Sequence, residues 1–132
     1  MSTGSVAPRH VLIVDDEHNI ADTLALIFTN NGYETRTAYS AEQALILTQD
    51  WTVDLAIVDV ILPQMHGLDL ALLLTELYPA CRVLLFSGQP SAGELAERPV
   101  YKKYAFQILA KPIHPVVLLA EATAVLENSS HP

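Results

Sequence analysis

The sequence predicts an α/β fold, a doubly wound five-stranded parallel sheet with helices on both faces. Three observations carry this. Five short apolar or alternating runs, at 10–14, 33–38, 54–58, 82–86 and 106–110, are separated by stretches with the apolar spacing of helices. Four of these runs end on chemically useful residues: Asp15-Asp16, Asp59, Ser87 and Lys111. The chain has 132 residues, 51% of them hydrophobic and 17% charged, enough for one domain with a single core and no disulfide or metal to hold it.

Residues 1–9, rich in Ser, Thr and Gly, are expected to be a flexible tail before a single domain over 10–127. The first strand is His10 to Val14. A helix follows Asp16, with Ile20, Leu24, Ile27 and Phe28 on one face, and stops at Asn30-Asn31-Gly32. Tyr33 to Ala38 alternates as a half-exposed edge strand does. Ser40, with Gln43 three residues on, is a capping box that opens a helix to about Gln49. Asp54 to Val58 is the third strand, and Gly67 to Tyr78 the third helix, stopped by Pro79. Within it Leu70, Ala71, Leu74, Leu77 and Tyr78 are expected in the core. Leu72 and Leu73 fall off that face and imply a contact surface for a partner or a second copy in a homodimer. Arg82 to Phe86 is the fourth strand, and Ser91 to Val100 a short helix closed by Pro99 or just before it. Phe106 to Ala110 is the fifth strand, and Pro115, suited to a first helical position, opens a fifth helix to Glu127. Residues 128–132 are expected to fray. Right-handed crossovers then give the flavodoxin-like order 2-1-3-4-5, which sets Asp15 and Asp16 beside Asp59.

The formal net charge of −8 and the pI near 4.8 argue against direct binding to nucleic acid or an anionic membrane, since only seven Lys and Arg are present. The single cysteine, Cys81, has no internal partner and is expected as a small buried residue at a strand entrance, in a reducing compartment. No run approaches membrane-spanning length and the first residues lack a signal-peptide core, so a cytoplasmic location is expected.

Strand ends on one rim of a parallel sheet converge, and ligands bind there. Three carboxylates so gathered repel: two unit charges about 4 Å apart at an effective dielectric near 20 cost roughly 4 kcal/mol. Either a pKa rises or a cation fills the gap, and an all-oxygen donor set suits Mg²⁺. A carboxylate can also act as a nucleophile and form an aspartyl phosphate when fixed cations neutralise the phosphoryl oxygens. Asp59 suits that role, with Lys111 as cation, Ser87 as hydroxyl donor, and the backbone N–H groups after Asp59 and Ser87 as further donors.

With these residues in order, the chain resembles the receiver domain of two-component response regulators from about Val11 to Glu127. The resemblance rests on Asp15-Asp16, on Asp59 with Pro63 and Gly67, on Ser87-Gly88 and on Lys111-Pro112. It implies that Asp59 is the phosphoacceptor and that Asp16, Asp59 and the Ile61 carbonyl bind Mg²⁺ directly. It implies too that Asp15 helps through water, that Ser87 and Lys111 contact the phosphoryl group, and that the Lys111–Pro112 bond is cis. The implied function is a stand-alone receiver, not an enzyme in the ordinary sense. A histidine kinase or phosphotransfer protein would phosphorylate it, and it would signal by binding a downstream protein. Three departures stand out: His66 replaces the acidic residue before the loop glycine, Ile108 replaces the aromatic three residues before the lysine, and residues 89–105 lack the usual glycine-containing turn. Signal transmission is therefore expected to run through that segment, with Tyr101 and Tyr104 as mobile aromatics. The alternatives are a phosphorylation-independent pseudo-receiver, a fragment of a hybrid kinase or transcriptional regulator, and a dehalogenase-type phosphatase. The last would need a second acid two residues after Asp59, where Ile61 stands.

Overall fold

The computed structural model describes residues 7–89 and 92–128. The N-terminal tail before Ala7, Pro90, Ser91 and the last four residues lie outside the described residues. Five strands, β1 (His10–Val14), β2 (Glu34–Ala38), β3 (Leu55–Asp59), β4 (Arg82–Ser87) and β5 (Gln107–Ala110), form one parallel sheet in the order β2-β1-β3-β4-β5. The expected order therefore holds. Around the sheet lie α1 (His18–Asn30), α2 (Ala41–Leu47), α3 (Gly67–Leu77), α4 (Ala92–Ala96), α5 (Pro99–Lys102) and α6 (Pro115–Asn128).

The central strands are buried on both faces, and alternate side chains serve opposite layers. Leu12, Val14, Ala56, Val58 and Leu85 pack with Ala41 and Ala44 of α2 and Leu70, Ala71 and Leu74 of α3. Val11, Ile13, Leu55, Ile57, Leu84 and Phe86 pack on the other side with Ala21, Leu24 and Phe28 of α1 and Leu118, Ala122 and Leu126 of α6. Each such Leu or Ile, fully buried, contributes about 1.5–3 kcal/mol relative to exposure. Cys81 is buried just before β4, and burial pushes its thiol up to about 12.

Local signals act as expected at most ends. Ser40 Oγ accepts the Gln43 N–H at 3.1 Å, while the Gln43 side chain reaches back to the Tyr39 N–H at 2.8 Å. Gly32, with φ +92°, turns the chain after α1. His66, departing from the family pattern, caps α3.

Two expectations fail. The single helix expected over Ser91 to Val100 is two short helices: the first ends at Ala96, shortly before Pro99, and Pro99 opens a second that was not expected. A proline has no N–H to lose at a first helical position, so it breaks the chain before itself and starts it again after. On α3, Leu77 is 56% exposed, whereas Leu72 and Leu73 are half-buried. Periodicity sets the angle around the helix axis but not whether the last turn still has a sheet beneath it. The Tyr101 hydroxyl donates to Asp69 and the Tyr104 hydroxyl to Glu76. Asp69, Leu72, Leu73 and Glu76 share one face of α3 by their spacing, so the segment between the tyrosines runs along that face.

Candidate functional site

Register brings the polar strand ends level. Val14 pairs with Val58, so Asp15, one residue on, stands beside Asp59; Asp59 pairs with Phe86 and Ser87 with Ala110, which puts Lys111 on the same rim. The backbone closes there as well. Val60 N–H donates to the Phe86 carbonyl at 2.9 Å, Lys111 N–H to the Ser87 carbonyl at 2.9 Å, and Gly67 N–H to the Val60 carbonyl at 2.7 Å. The Lys111–Pro112 bond is cis.

Asp15 is fully buried and Asp59 is 5% exposed, while Asp16 is open to solvent. One oxygen of Asp15 accepts the Glu17 N–H at 2.9 Å and one of Asp59 accepts the Ile61 N–H at 3.0 Å. The other oxygens both face Lys111, whose Nζ lies 3.3 Å from Asp15 Oδ2 and 3.0 Å from Asp59 Oδ2. That ammonium also sits 4.7 Å over the Phe86 ring, a cation–π contact that gives its stem a fixed bed. Ser87, 4% exposed, accepts the Gln89 N–H at 2.9 Å, which leaves its hydroxyl proton to donate elsewhere.

These contacts act on the charges. Burial raises the Asp15 carboxyl, and the Asp59 charge raises it further, against the lowering by the Glu17 N–H and Lys111. For Lys111 burial works downward, but its hydrogen bond to Asp59 and the charges of Asp59 and Asp15 outweigh that, and its pKa is raised. One ammonium among three carboxylates leaves the cluster negative. Asp15, Asp16 and Asp59 each offer an oxygen, all within 4.8 Å of one another. An oxygen-only set of this size, with Asp16 open to water, fits a hard divalent cation that keeps part of its hydration.

Beside the cluster is a cavity of about 390 Å³, walled by Asp16, Asp59, Ile61, Gly88, Gln89 and Lys111, among others. Lys111 also borders a larger apolar cavity of about 520 Å³ between α1 and the loop after β5, lined by Ile20, Leu24, Ile27 and Phe86. The structure thus brings Asp15, Asp16, Asp59, Ile61 and Lys111 together, with Ser87 buried on the same rim. Sequence reasoning did not foresee Phe86 as the bed for Lys111, since a buried strand phenylalanine carries no such mark. It also did not see why position 67 is glycine. A Cβ there would lie 2.0 Å from the Asp59 carbonyl oxygen and 2.7 Å from Val60 Cα.

Five parallel strands in this order, with three acids, a hydroxyl and a lysine on one rim, make a flavodoxin-like domain with an acidic site at its strand ends. The chain belongs to the response regulator receiver domain family, which it matches over residues 11–123. It is 30% identical over 118 residues to the regulatory protein VanR of Enterococcus faecium, a match covering 89% of this chain and 50% of that protein. Its fold resembles a CheY-like receiver domain protein from Methanospirillum hungatei JF-1, with TM-score 0.82 and 27% identity over 92% of this chain and 96% of the other. It also resembles the receiver domain of an HD domain-containing protein from Pseudomonas fluorescens Pf-5, with TM-score 0.83, 29% identity, and coverage of 92% and 97%. The chain spans half or less of the length of the first curated relatives it matches. Among the described residues, no helix is long and apolar enough to cross a membrane.

Proposed function

We propose that this domain accepts a phosphoryl group on Asp59 from a histidine kinase or histidine phosphotransfer protein, in a Mg²⁺-dependent step, and signals by changing its affinity for a protein partner. The observation that carries this reading is the Lys111 ammonium, shared between the Asp15 and Asp59 carboxylates beside a cavity that also exposes Asp16. A carboxylate oxygen of Asp59 attacks the phosphorus of a phosphohistidine. The O–P bond forms as the P–N bond breaks, and the departing imidazole nitrogen keeps the electron pair and takes up a proton from solvent. Lys111 Nζ, the Ser87 hydroxyl and the Gly88 backbone N–H are the donors for the phosphoryl oxygens, while the Val60 N–H stays with the Phe86 carbonyl. Asp16, Asp59 and the Ile61 carbonyl would hold Mg²⁺ directly and Asp15 through water. The ion, when bound, supplies neutralisation of phosphoryl charge. The domain assists its own phosphorylation and hydrolysis and is not an enzyme that turns over a separate substrate. The curated relatives are longer regulators, which favours a second reading of the output, as a contact with a domain of the same regulator; the chemistry at Asp59 is the same in both.

Acetyl phosphate with Mg²⁺ tests this directly. Intact mass should rise by one phosphoryl group, and Asp59→Asn should remain unmodified. A mass increase that persists in Asp59→Asn rejects the acceptor, and unaltered Mg²⁺ affinity in Asp16→Ala rejects the metal ligands.

A further inference from the structure

We propose that β2, an open edge of the sheet, pairs antiparallel with β2 of a second copy of this chain about a two-fold axis at Thr35. Backbone direction is the first ground. Glu34 N–H donates to the Arg9 carbonyl at 2.9 Å, and the Ala38 carbonyl accepts the Asp15 N–H at 3.1 Å. Glu34 and Ala38 thus turn their peptide groups toward β1 and its flank, and alternation along the strand turns those of Thr35 and Thr37 outward. β2 is the end strand of the sheet, so that outward side meets no further strand among the described residues.

Charge order is the second ground. The strand reads Glu34-Thr35-Arg36, and pairing it with its own reversal about Thr35 sets Glu34 of each copy opposite Arg36 of the other. In that register the two Thr35 residues exchange both of their N–H···O bonds. Centring the axis on Glu34 or on Arg36 instead sets like charges opposite, so the charges select one register. Both side chains are already held. Glu34 Oε2 accepts the Trp51 Nε1 proton at 3.3 Å and lies 3.1 Å from His10 Nε2, and the Arg36 guanidinium lies 4.7 Å over the Trp51 ring. Asp50, 3.8 Å from Arg36, is 84% exposed and makes a weak, replaceable pair. Side chains so fixed lose little freedom on pairing.

An apolar contact adjoins the edge. Asp22, Leu26 and Thr29 share one face of α1 by their spacing. The Tyr39 hydroxyl donates to Asp22 at 2.7 Å and the Thr29 and Thr35 hydroxyls meet at 2.8 Å, so this face overhangs β2. Leu26, between those two ties, is 61% exposed. A two-fold axis perpendicular to the sheet keeps both α1 helices on one side of the joined sheet, where the two Leu26 side chains flank the axis. A second copy fits better than an unrelated strand, because the charge order complements its own reversal and a two-fold contact closes at two copies. Each copy carries −8, and screening over about 8 Å at physiological salt weakens that general repulsion more than it weakens charges in contact. The edge is separate from the Asp59 cluster and its test uses unphosphorylated protein, so either reading stands if the other fails.

The experiment is sedimentation equilibrium of the full chain from about 10 to 500 µM in about 0.15 M salt, with amide hydrogen exchange on the same samples. The apparent mass should rise from one chain toward two, and exchange at the Thr35 and Thr37 amides should slow with concentration. Glu34→Arg and Arg36→Glu each set like charges opposite at both pairs and should raise the dissociation constant at least about tenfold. An equal mixture of the two variants restores opposite charges at both pairs and should associate within about threefold of the parent. Thr35→Pro removes the outward N–H and none of the bonds to β1, so it should abolish association while circular dichroism stays that of the parent. A chain monomeric to about 500 µM, undiminished association in either charge variant, or a mixture no tighter than its components would overturn the proposal. Protection of the two amides by the uncharged peptide acetyl-Thr-Val-Thr-Val-Thr-amide, without dependence on protein concentration, would give the edge to a foreign strand and overturn it too.

Discussion

Gly67→Ala should damage this domain more than any other glycine replacement among those described. The added Cβ would stand 2.0 Å from the Asp59 carbonyl oxygen, 2.7 Å from Val60 Cα and 2.8 Å from the Asp59 carbonyl carbon. Heavy atoms in ordinary contact keep about 3.5 Å, so α3 must retreat from β3 by roughly 1.5 Å, and every obstructing atom is backbone that no rotamer change can clear. Retreat also lengthens the 2.7 Å hydrogen bond from Gly67 N–H to the Val60 carbonyl. Overpacking costs about 1–3 kcal/mol and a lost hydrogen bond about 1, so the expected destabilisation is about 2–4 kcal/mol. For a domain of this size that lowers Tm by about 6–20 °C. Because the clash falls on the phosphoacceptor's own backbone, acetyl phosphate labelling of the folded fraction should slow as well. Urea and thermal unfolding of the variant provide the assay. A Tm within about 2 °C of the parent, with labelling unchanged, would show that the β3–α3 loop yields freely and that the close approach does not position Asp59.

Ala105 has φ +52°, the left-handed region, so Ala105→Gly should stabilise by about 0.5–1 kcal/mol after its entropic cost; a lower urea midpoint would contradict this. Asp15→Asn should raise stability at neutral pH by about 1 kcal/mol while weakening Mg²⁺ binding. Burial lifts the Asp15 carboxyl above 3.8, so the folded state binds that proton more tightly, and stability falls as pH rises from 3.8 through the folded value; the variant lacks that slope, and a lower Tm at pH 7 counts against it. At the alkaline end Cys81, raised by burial from 9.0 to about 12, Tyr101 and Tyr104, raised from 10.0 by their carboxylate partners, and Lys111, raised from 10.5, all hold protons more tightly when folded. Their contributions are complete below their ordinary values and lost as pH rises through the folded ones, so stability should decline above about pH 9 and decline less in Y101F/Y104F; a flat limb to pH 11 would be the contrary result. Beryllofluoride should alter hydrogen exchange across residues 92–105, and silence there with changes only after β1 and β3 would exclude the segment as a switch.

Strand runs, the helix face of Ile20, Leu24 and Phe28, the Ser40 cap and the set Asp15, Asp16, Asp59, Ser87 and Lys111 were all legible in the amino-acid order. Each depends on residue type and on spacing along one element, and a parallel sheet with right-handed crossovers leaves few ways to arrange five such strands. Tertiary structure alone decided the rest, because it depends on which elements meet. Phe86 under Lys111 and the closed gap at Gly67 are contacts between segments far apart or folded back on each other. Pro99 was legible as a break and suits a first helical position, but only the tertiary structure tied the helix it opens to α3, through the bonds of Tyr101 to Asp69 and Tyr104 to Glu76. Leu77 kept its helical angle and lost its burial, since periodicity specifies direction around an axis and carries no information on how far the neighbouring layer extends.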